Sequence, residues 1–378
     1  MQNNFTIGIL GGGQLARMSA FEAYKLGFEI AILEKKNNSP AGMMTHKEFV
    51  GWVGAKKVLN EFSAASDLIT LENEFIDAHY LKELEDSGKK VFPSSRTISL
   101  IQDKLIQKKT LLKNSIPVPE FVEVKSKNDY SKIAEKLGNK FLLKSRKMGY
   151  DGYGNATVNN ESDFIKYYDK LTGRHSLLMA EKFVDFHKEL AVMVARTKKE
   201  IKIYPVVETI QKNHICHTVL APAEVSEKII DDVKEIAVEA VKAVKGFGIF
   251  GIEFFMDSNN RILVNEMAPR PHNTGHYTIE ACVTSQFENH IRAVAGLPLG
   301  ETEMIKRAAV MINTLGKKKQ KSLSSNQKEA LKNPGVHFHF YGKKESRVGR
   351  KLGHLTMLGE NQKEIYNKLK SVEDKIFL

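Results

Sequence analysis

The sequence predicts an α/β protein whose first domain is a doubly wound, Rossmann-like parallel sheet. Three observations carry this. Strand-like and helix-like segments alternate through the first hundred residues. A glycine turn at 11–13 joins the first strand to the first helix. Further on, strands follow one another with turn residues between them, as in mixed domains. A length of 378 residues allows two or three domains.

The elements follow in order. "FTIGIL" reads as a strand, 14–27 as a helix, "FEIAIL" and "DLIT" as strands and 77–87 as a helix. "VFPSSRT" (91–97) marks a boundary. One helix is expected over "SLIQDKLIQKKTLLKNS", with Ile101, Leu105 and Leu112 on its buried side and "IPVP" as its stop. Strands at 120–124 and 140–145 flank a helix. The loop "KMGYDGYGNA" comes next, then strands at 177–183, 189–196 and 201–208. Ile229, Val233, Ile236, Ala240 and Val244 stripe an amphipathic helix over 226–245, with Ser226 as its N-cap. A strand pair at 249–267 and helices over 276–296 precede the linker "GLPLG". Strands at 308–313 and 335–341 and a polar helix end the chain. The expected domains are 1–97, 98–297 and 298–378.

Composition narrows the function. Net charge is +12, from 57 basic and 45 acidic residues, which suits anionic partners. The lysines are dispersed and not interleaved with aromatic residues, so small anions are favoured over nucleic acid. The run "GKKKQK" reads as a solvated loop. No run of 18 apolar residues marks a membrane span. Two cysteines make no disulfide framework, and the N-terminus has no basic flank of a signal peptide. A cytoplasmic location is therefore expected.

The glycine turn raises an NAD-dependent oxidoreductase as one reading. Gly11, Gly13 and Ala16 fit the dinucleotide spacing, and Glu34 sits where the ribose-binding acid would be. A second chemistry lies in "FGIEFFMDSNNRILVNEM". Pairing across "DSNN" sets Asp257 against Asn260 and Val264 against Glu253. Glu266 then shares the face of Glu253, together with Gly251, Phe255, Ile262 and Val264. Two acids on a mostly apolar face are costly unless a hard cation such as Mg²⁺ lies between them.

The loop "GYDGYGN" lets backbone amides approach phosphate, or else serves only as a turn. It lacks the lysine of a Walker loop. Lys144 lies on the strand before it. Asp151 inside the loop is either a proton acceptor or a turn former. In "APRPHNTGH", Arg270 suits a two-pronged anion contact. His272 and His276 are spaced like a helical metal pair, but Pro271 and Gly275 oppose a helix, so a substrate-contacting loop or plain structure is expected. Lys343, Lys344, Arg347, Arg350 and Lys351 cluster in "YGKKESRVGRKLGH", as an anion pocket or a solvated face.

These motifs, with "GILGGGQLARM", "QDKLIQK", "EKFV", "SQFENHIRA" and "GRKLGHL", resemble the ATP-grasp superfamily. Within it the chain is most similar to the 5-(carboxyamino)imidazole ribonucleotide synthases. The resemblance implies a pre-ATP-grasp domain, an ATP-grasp domain with a mobile lid at about 118–185, and a small C-terminal domain. It implies that the glycine turn faces substrate and not NAD. ATP would be bound by Lys104, Lys144, the loop residues Gly149, Tyr150, Asp151, Gly152, Tyr153, Gly154 and Asn155, the hinge Glu181, Lys182, Phe183 and Val184, and by Glu189, Gln211 or His214, Asn265 and Glu266. Mg²⁺ would be held by Glu253 and Glu266, since Ala268 replaces a frequent asparagine ligand. Gln14, Arg270, His272, Asn273, Lys343 and Arg350 would bind the aminoimidazole ribonucleotide, with Asp151, Tyr150 and Arg270 as the catalytic residues. Tyr153 stands where an arginine is often found. The implied reaction activates bicarbonate with ATP as carboxyphosphate and carboxylates the amine, in a homodimer. Another ATP-grasp carboxylase or a formate-dependent transformylase is the nearest alternative.

Overall fold

A computed structural model describes residues 5–149, 154–173, 177–320 and 327–376. The first unit contains β1 (Thr6–Leu10), α1 (Gln14–Lys25), β2 (Glu29–Glu34), β3 (Lys47–Val50), α2 (Lys56–Ala64), β4 (Leu68–Leu71), α3 (Ala78–Asp86) and β5 (Lys90–Phe92). Its strands are all parallel, in the order β3-β2-β1-β4-β5. The chain leaves β1 toward one side and returns to β4 on the other, so the ends of β1 and β4 flank the switch point where such sheets open a crevice.

The single helix expected after "VFPSSRT" is two: α4 (Ser95–Ile101) and α5 (Lys104–Lys113). Asp103 breaks it. Its carboxylate takes the amides of Leu105 and Ile106 at 3.0 and 3.3 Å, capping a new helix instead of continuing the old one. Ile101 and Leu105 are buried as expected. Leu112 is 58% exposed, over a groove beside the following strand, and Leu111 takes the buried position.

A small antiparallel sheet follows: β6 (Phe121–Val124), α6 (Tyr130–Leu137), β7 (Phe141–Ser145), β8 (Asn155–Val158), α7 (Glu161–Thr172) and β9 (Leu178–Lys182), in the order β6-β9-β7-β8. The large sheet begins with β10 (Phe186–Arg196), β11 (Ile201–Ile203), β12 (Val207–Lys212) and β13 (Ile215–Ala221). The strand expected at 201–208 is thus broken, at Tyr204–Pro205–Val206, since proline cannot donate to a ladder. Helix α8 (Glu227–Ala243) starts at Ser226, whose side chain accepts the Ile229 amide. Then come β14 (Gly248–Asp257), β15 (Ile262–Ala268), α9 (Thr278–Ala281) and α10 (Gln286–Ala295).

The last unit supplies β16 (Ala308–Leu315), α11 (Gln327–Leu331), β17 (Val336–Phe340), β18 (Lys351–Gly359) and α12 (Gln362–Glu373). Its strands join the same sheet through β13 and β16, giving the order β15-β14-β10-β12-β13-β16-β18-β17, with β11 on β10. Alternation along β10 and β14 divides the core. Leu190, Val192, Val194, Phe250, Ile252 and Phe254 pack on α8. The other face carries Ala191 and Met193, and at its end the acids Glu189 and Glu253. No helix among the described residues is long and apolar enough to cross a membrane.

Candidate active site

The acid hairpin differs from its expected register twice, and the two differences cancel. The turn holds three residues, not two. Asn260 adopts φ +59°, and Asp257 accepts the amides of Asn259 and Arg261 at 2.9 Å. One residue later in register, Phe254 faces Val264 and Met256 faces Ile262. A bulge then inserts Asn265, so that Glu253 faces Glu266 directly and not diagonally. Ile262 and Val264 consequently leave the acid face and join the core under α8, contrary to the sequence expectation. The acids share a face because the bulge restores the parity that the odd turn would have lost.

Lys104, the first residue of α5, forms an ion pair with Glu266. Burial pushes Glu266 up, but the adjoining ammonium outweighs it and holds the carboxyl down at about 2. Glu253 has no such partner. His272 Nε2 lies 3.9 Å away, and burial followed by the facing Glu266 charge pushes Glu253 up to about 8. Burial and the Arg270 charge press His272 itself down to about 4, so it brings Glu253 no positive charge near neutrality. Two facing carboxylates with one lysine, paired with Glu266 alone, are short of a cation. Their oxygen donors suit Mg²⁺, so the residues present fit that ion.

A second charged group lies behind. Glu181 on β9 is buried between Lys144 of β7 and Lys108 of α5, the latter at 2.9 Å. Lys108 also donates to the Val264 carbonyl at 2.9 Å, and burial pushes its ammonium down to about 8 despite Glu181. Arg146, just past β7, chelates Asp103 with 2.8–3.1 Å contacts and reaches Glu123 at 2.8 Å. These groups tie the small sheet to α5 and β15. Beside Glu181, Lys182 is exposed and paired with Glu120, while Phe183 lies under the Lys140 ammonium at 3.5 Å. Val184 is half-buried.

The glycine loop is held at its ends. The Ser145 amide donates to Gly154 at 2.7 Å, and Asn155 pairs with Lys144. A Cβ on Gly154 would sit 3.3 Å from the Gly149 backbone. Tyr150, Asp151, Gly152 and Tyr153 lie outside the described residues. On β10, Glu189 lies on the Glu253 face and bonds Gln211, while burial raises its carboxyl. His214 instead sits exposed at the β12–β13 turn with φ +62°. Of the two candidates, Gln211 is the one brought to Glu189.

The third group lies at the switch point. Gly12 donates to Glu34 at 2.9 Å and Gly13 to Glu72 at 2.6 Å. The amides that would receive a dinucleotide pyrophosphate therefore face two carboxylates, and the NAD reading is set aside. Gln14 follows as the first residue of α1. Arg270 forms a two-pronged pair with Glu74, which holds that carboxyl low against the upward push of burial. His272 packs its Cβ over Gly251, where any side chain would clash at 2.4 Å. Its Nδ1 meets the Thr274 hydroxyl at 2.9 Å. Asn273 exchanges amide hydrogen bonds of 2.9 and 2.6 Å with Asn313 of β16. Lys343 donates to the Lys351 carbonyl at 2.6 Å, and Arg350 to the Glu345 carbonyl at 2.7 Å.

Glu72, Glu74 and Arg146 carry no motif, and Lys108, the last residue of "QDKLIQK", has no role assigned from the sequence. The available signal for the first two was position. They follow β4, whose C-terminal end borders the crevice.

Known proteins match this chain throughout. The ribonucleotide synthetase preATP-grasp domain matches residues 4–102, the ATP-grasp domain 109–287, and the phosphoribosylaminoimidazole carboxylase C-terminal domain 309–368. The phosphoribosylaminoimidazole carboxylase of Ogataea methanolica is 42% identical over 97% of this chain and 69% of its own length. The chain spans 65% of the Saccharomyces cerevisiae carboxylase, so about two thirds of such proteins. The Staphylococcus aureus N5-carboxyaminoimidazole ribonucleotide synthase is 37% identical over 96% of both chains. The structure of N5-carboxyaminoimidazole ribonucleotide synthetase from Thermotoga maritima superposes with a TM-score of 0.88 at 42% identity, over 99% of both chains. That of the Aspergillus clavatus synthase with ADP and 5-aminoimidazole ribonucleotide gives 0.90 at 35%, also over 99% of both.

Proposed function

We propose how this site works from the premise that the chain belongs to the N5-carboxyaminoimidazole ribonucleotide synthase family of ATP-grasp proteins. It is an ATP-dependent ligase of purine biosynthesis that converts 5-aminoimidazole ribonucleotide to its N5-carboxy derivative. The observation that carries the residue-level reading is the direct facing of Glu253 and Glu266 beside Lys104.

Lys104 and Lys144 contact the phosphate and adenine of ATP, with the loop 149–155 at the phosphates. The chain from Glu181 to Val184 lines the adenine, and Glu189 with Gln211 takes the ribose. Glu253 and Glu266 hold Mg²⁺, which when bound neutralises charge on the phosphates. Bicarbonate is a poor electrophile, and transfer of the γ-phosphoryl group to it gives carboxyphosphate with a good leaving group. Closure of the segment about 118–185 keeps water from that intermediate. Gln14, Arg270, His272, Asn273, Lys343 and Arg350 bind the ribonucleotide. Glu74 holds the Arg270 guanidinium in place for this, and Asn313 holds Asn273. The exocyclic amine attacks the carbonyl carbon or the CO₂ released from it, phosphate leaves, and Asp151 takes the amine proton. Tyr150, like Asp151, is assigned to the imidazole of the substrate. The working form in this reading is a cytoplasmic homodimer.

ADP release in bicarbonate buffer, with and without the aminoimidazole ribonucleotide, tests this. Release stimulated by the ribonucleotide, with carboxylated product, is expected. Stimulation by formate and a formyl acceptor instead would overturn it.

A further inference from the structure

Among the described residues outside the acid hairpin, one cluster of side chains has the makings of a ligand set. His339 of β17 and His354 of β18 face each other directly across the ladder. Their rings stack with centroids 4.4 Å apart and an 11° interplanar angle. Glu280 of α9 closes the group from above, with its Oε1 2.5 Å from His339 Nε2. The three ligand atoms offered by Glu280, His339 and His354 all lie within 4.8 Å of one another.

Two atoms in the cluster are unsatisfied. His354 is fully buried, and its Nε2 has no hydrogen-bond partner among the described residues. Glu280 Oε2 is likewise without one, and the Glu280 side chain is only 10% exposed. Buried polar atoms are normally capped, and these two belong to the same group as the His339–Glu280 contact. The far side of His354 is already fixed. Its Nδ1 bonds the Tyr341 hydroxyl at 2.9 Å, and an Nδ1–H donated there leaves the Nε2 lone pair free for a ligand. Burial keeps His354 neutral, as a metal ligand must be.

We propose that Glu280, His339 and His354 form a binding site for a zinc-type divalent cation that clamps β17 and β18 onto α9. Two imidazoles and one carboxylate suit zinc better than magnesium, which prefers oxygen donors alone. The cation would replace the proton now shared between His339 Nε2 and Glu280, and that proton would move to His339 Nδ1 or to solvent. A fourth position would be left for water. Because α9 directly follows the Arg270–His276 loop, occupation would stiffen the floor of the ribonucleotide pocket. The site is independent of the residue roles proposed for ATP.

The test is equilibrium dialysis of the chelator-stripped full chain against zinc, with excess magnesium present to block the Glu253–Glu266 pair. Wild type is expected to retain one zinc per chain more than His339→Ala or the near-isosteric Glu280→Gln. Its Tm should rise with zinc, while theirs does not. Cobalt(II) provides a check on the unmutated chain. A visible absorption band of low-coordinate cobalt, bleached by zinc, is expected. Equal zinc in all three proteins, or wild type without that band, overturns the proposal.

Discussion

Glu253 and Glu266 occupy directly opposed positions on β14 and β15, yet only Glu266 has a lysine in contact. The asymmetry assigns different duties to two like residues. Glu266 stays ionised and orients Lys104; Glu253 waits for a cation. Glu266→Gln should therefore do more than remove one ligand, because it also frees Lys104. We expect kcat for ADP formation to fall by about 10²–10³-fold, the scale of losing one preorganised electrostatic contact. Magnesium titration of ADP release checks this, and an unchanged magnesium dependence would count against the hairpin as the metal site.

The raised carboxyl of Glu253 gives a pH signature. Its folded value of about 8 lies above the ordinary 4.5, so between these the metal-free folded chain holds a proton that the unfolded chain has lost. Stability thus declines as pH rises through this window, and Glu253→Gln should raise the Tm of the metal-free protein at about pH 8. Cation binding must displace the same proton. Magnesium affinity should climb about tenfold per unit as pH approaches about 8 and then level off. Calorimetry in buffers of different ionisation enthalpy would read the proton release. A pH-independent affinity would contradict the assignment.

How much of this was legible in the sequence depends on how local the signal was. The β1–α1–β2 alternation and the Ser226 cap are local patterns, and the structure carries both. The hairpin was read from an assumed two-residue turn. The odd turn with Asn260 in the left-handed region and the bulge at Asn265 leave no mark in the sequence pattern, and the shared face survives because the two departures cancel. Strand β18 was hidden because "GRKLGHL" presents as a basic cluster, although its buried side chains lie at the centre of the C-terminal unit. Glu72 and Glu74 were missed for another reason: only the strand order 3-2-1-4-5 makes the end of β4 a neighbour of the glycine turn.

That neighbourhood yields a prediction at Gly13. A Cβ there would lie 2.0 Å from Glu72 Oε1, and the carboxylate accepts the Gly13 amide. Gly13→Ala should expel Glu72 from the start of α1 and leave buried polar groups unpaired. A loss of about 1–3 kcal/mol is expected from denaturant unfolding. Because Lys343 faces Glu72 as well, KM for the ribonucleotide should rise while KM for ATP is unchanged. Equal effects on both KM values would place the glycine turn outside the ribonucleotide pocket.

The glycine loop carries the last prediction. Its described flanks are fixed, with Ser145 bonded to Gly154 and Asn155 paired with Lys144. An acid there gains nothing from nearby phosphates, which would repel it, and a proton-accepting role explains its presence better than a binding one. Asp151→Asn keeps size and turn chemistry but cannot accept the proton. Nucleotide affinity, measured by calorimetry, should be preserved. Carboxylation should drop by about 10²–10⁴-fold, the range of a lost general base. ADP release should persist without matching product, because activated bicarbonate would break down unused. Wild-type carboxylation by Asp151→Asn would remove Asp151 from the chemistry and leave it as a turn former.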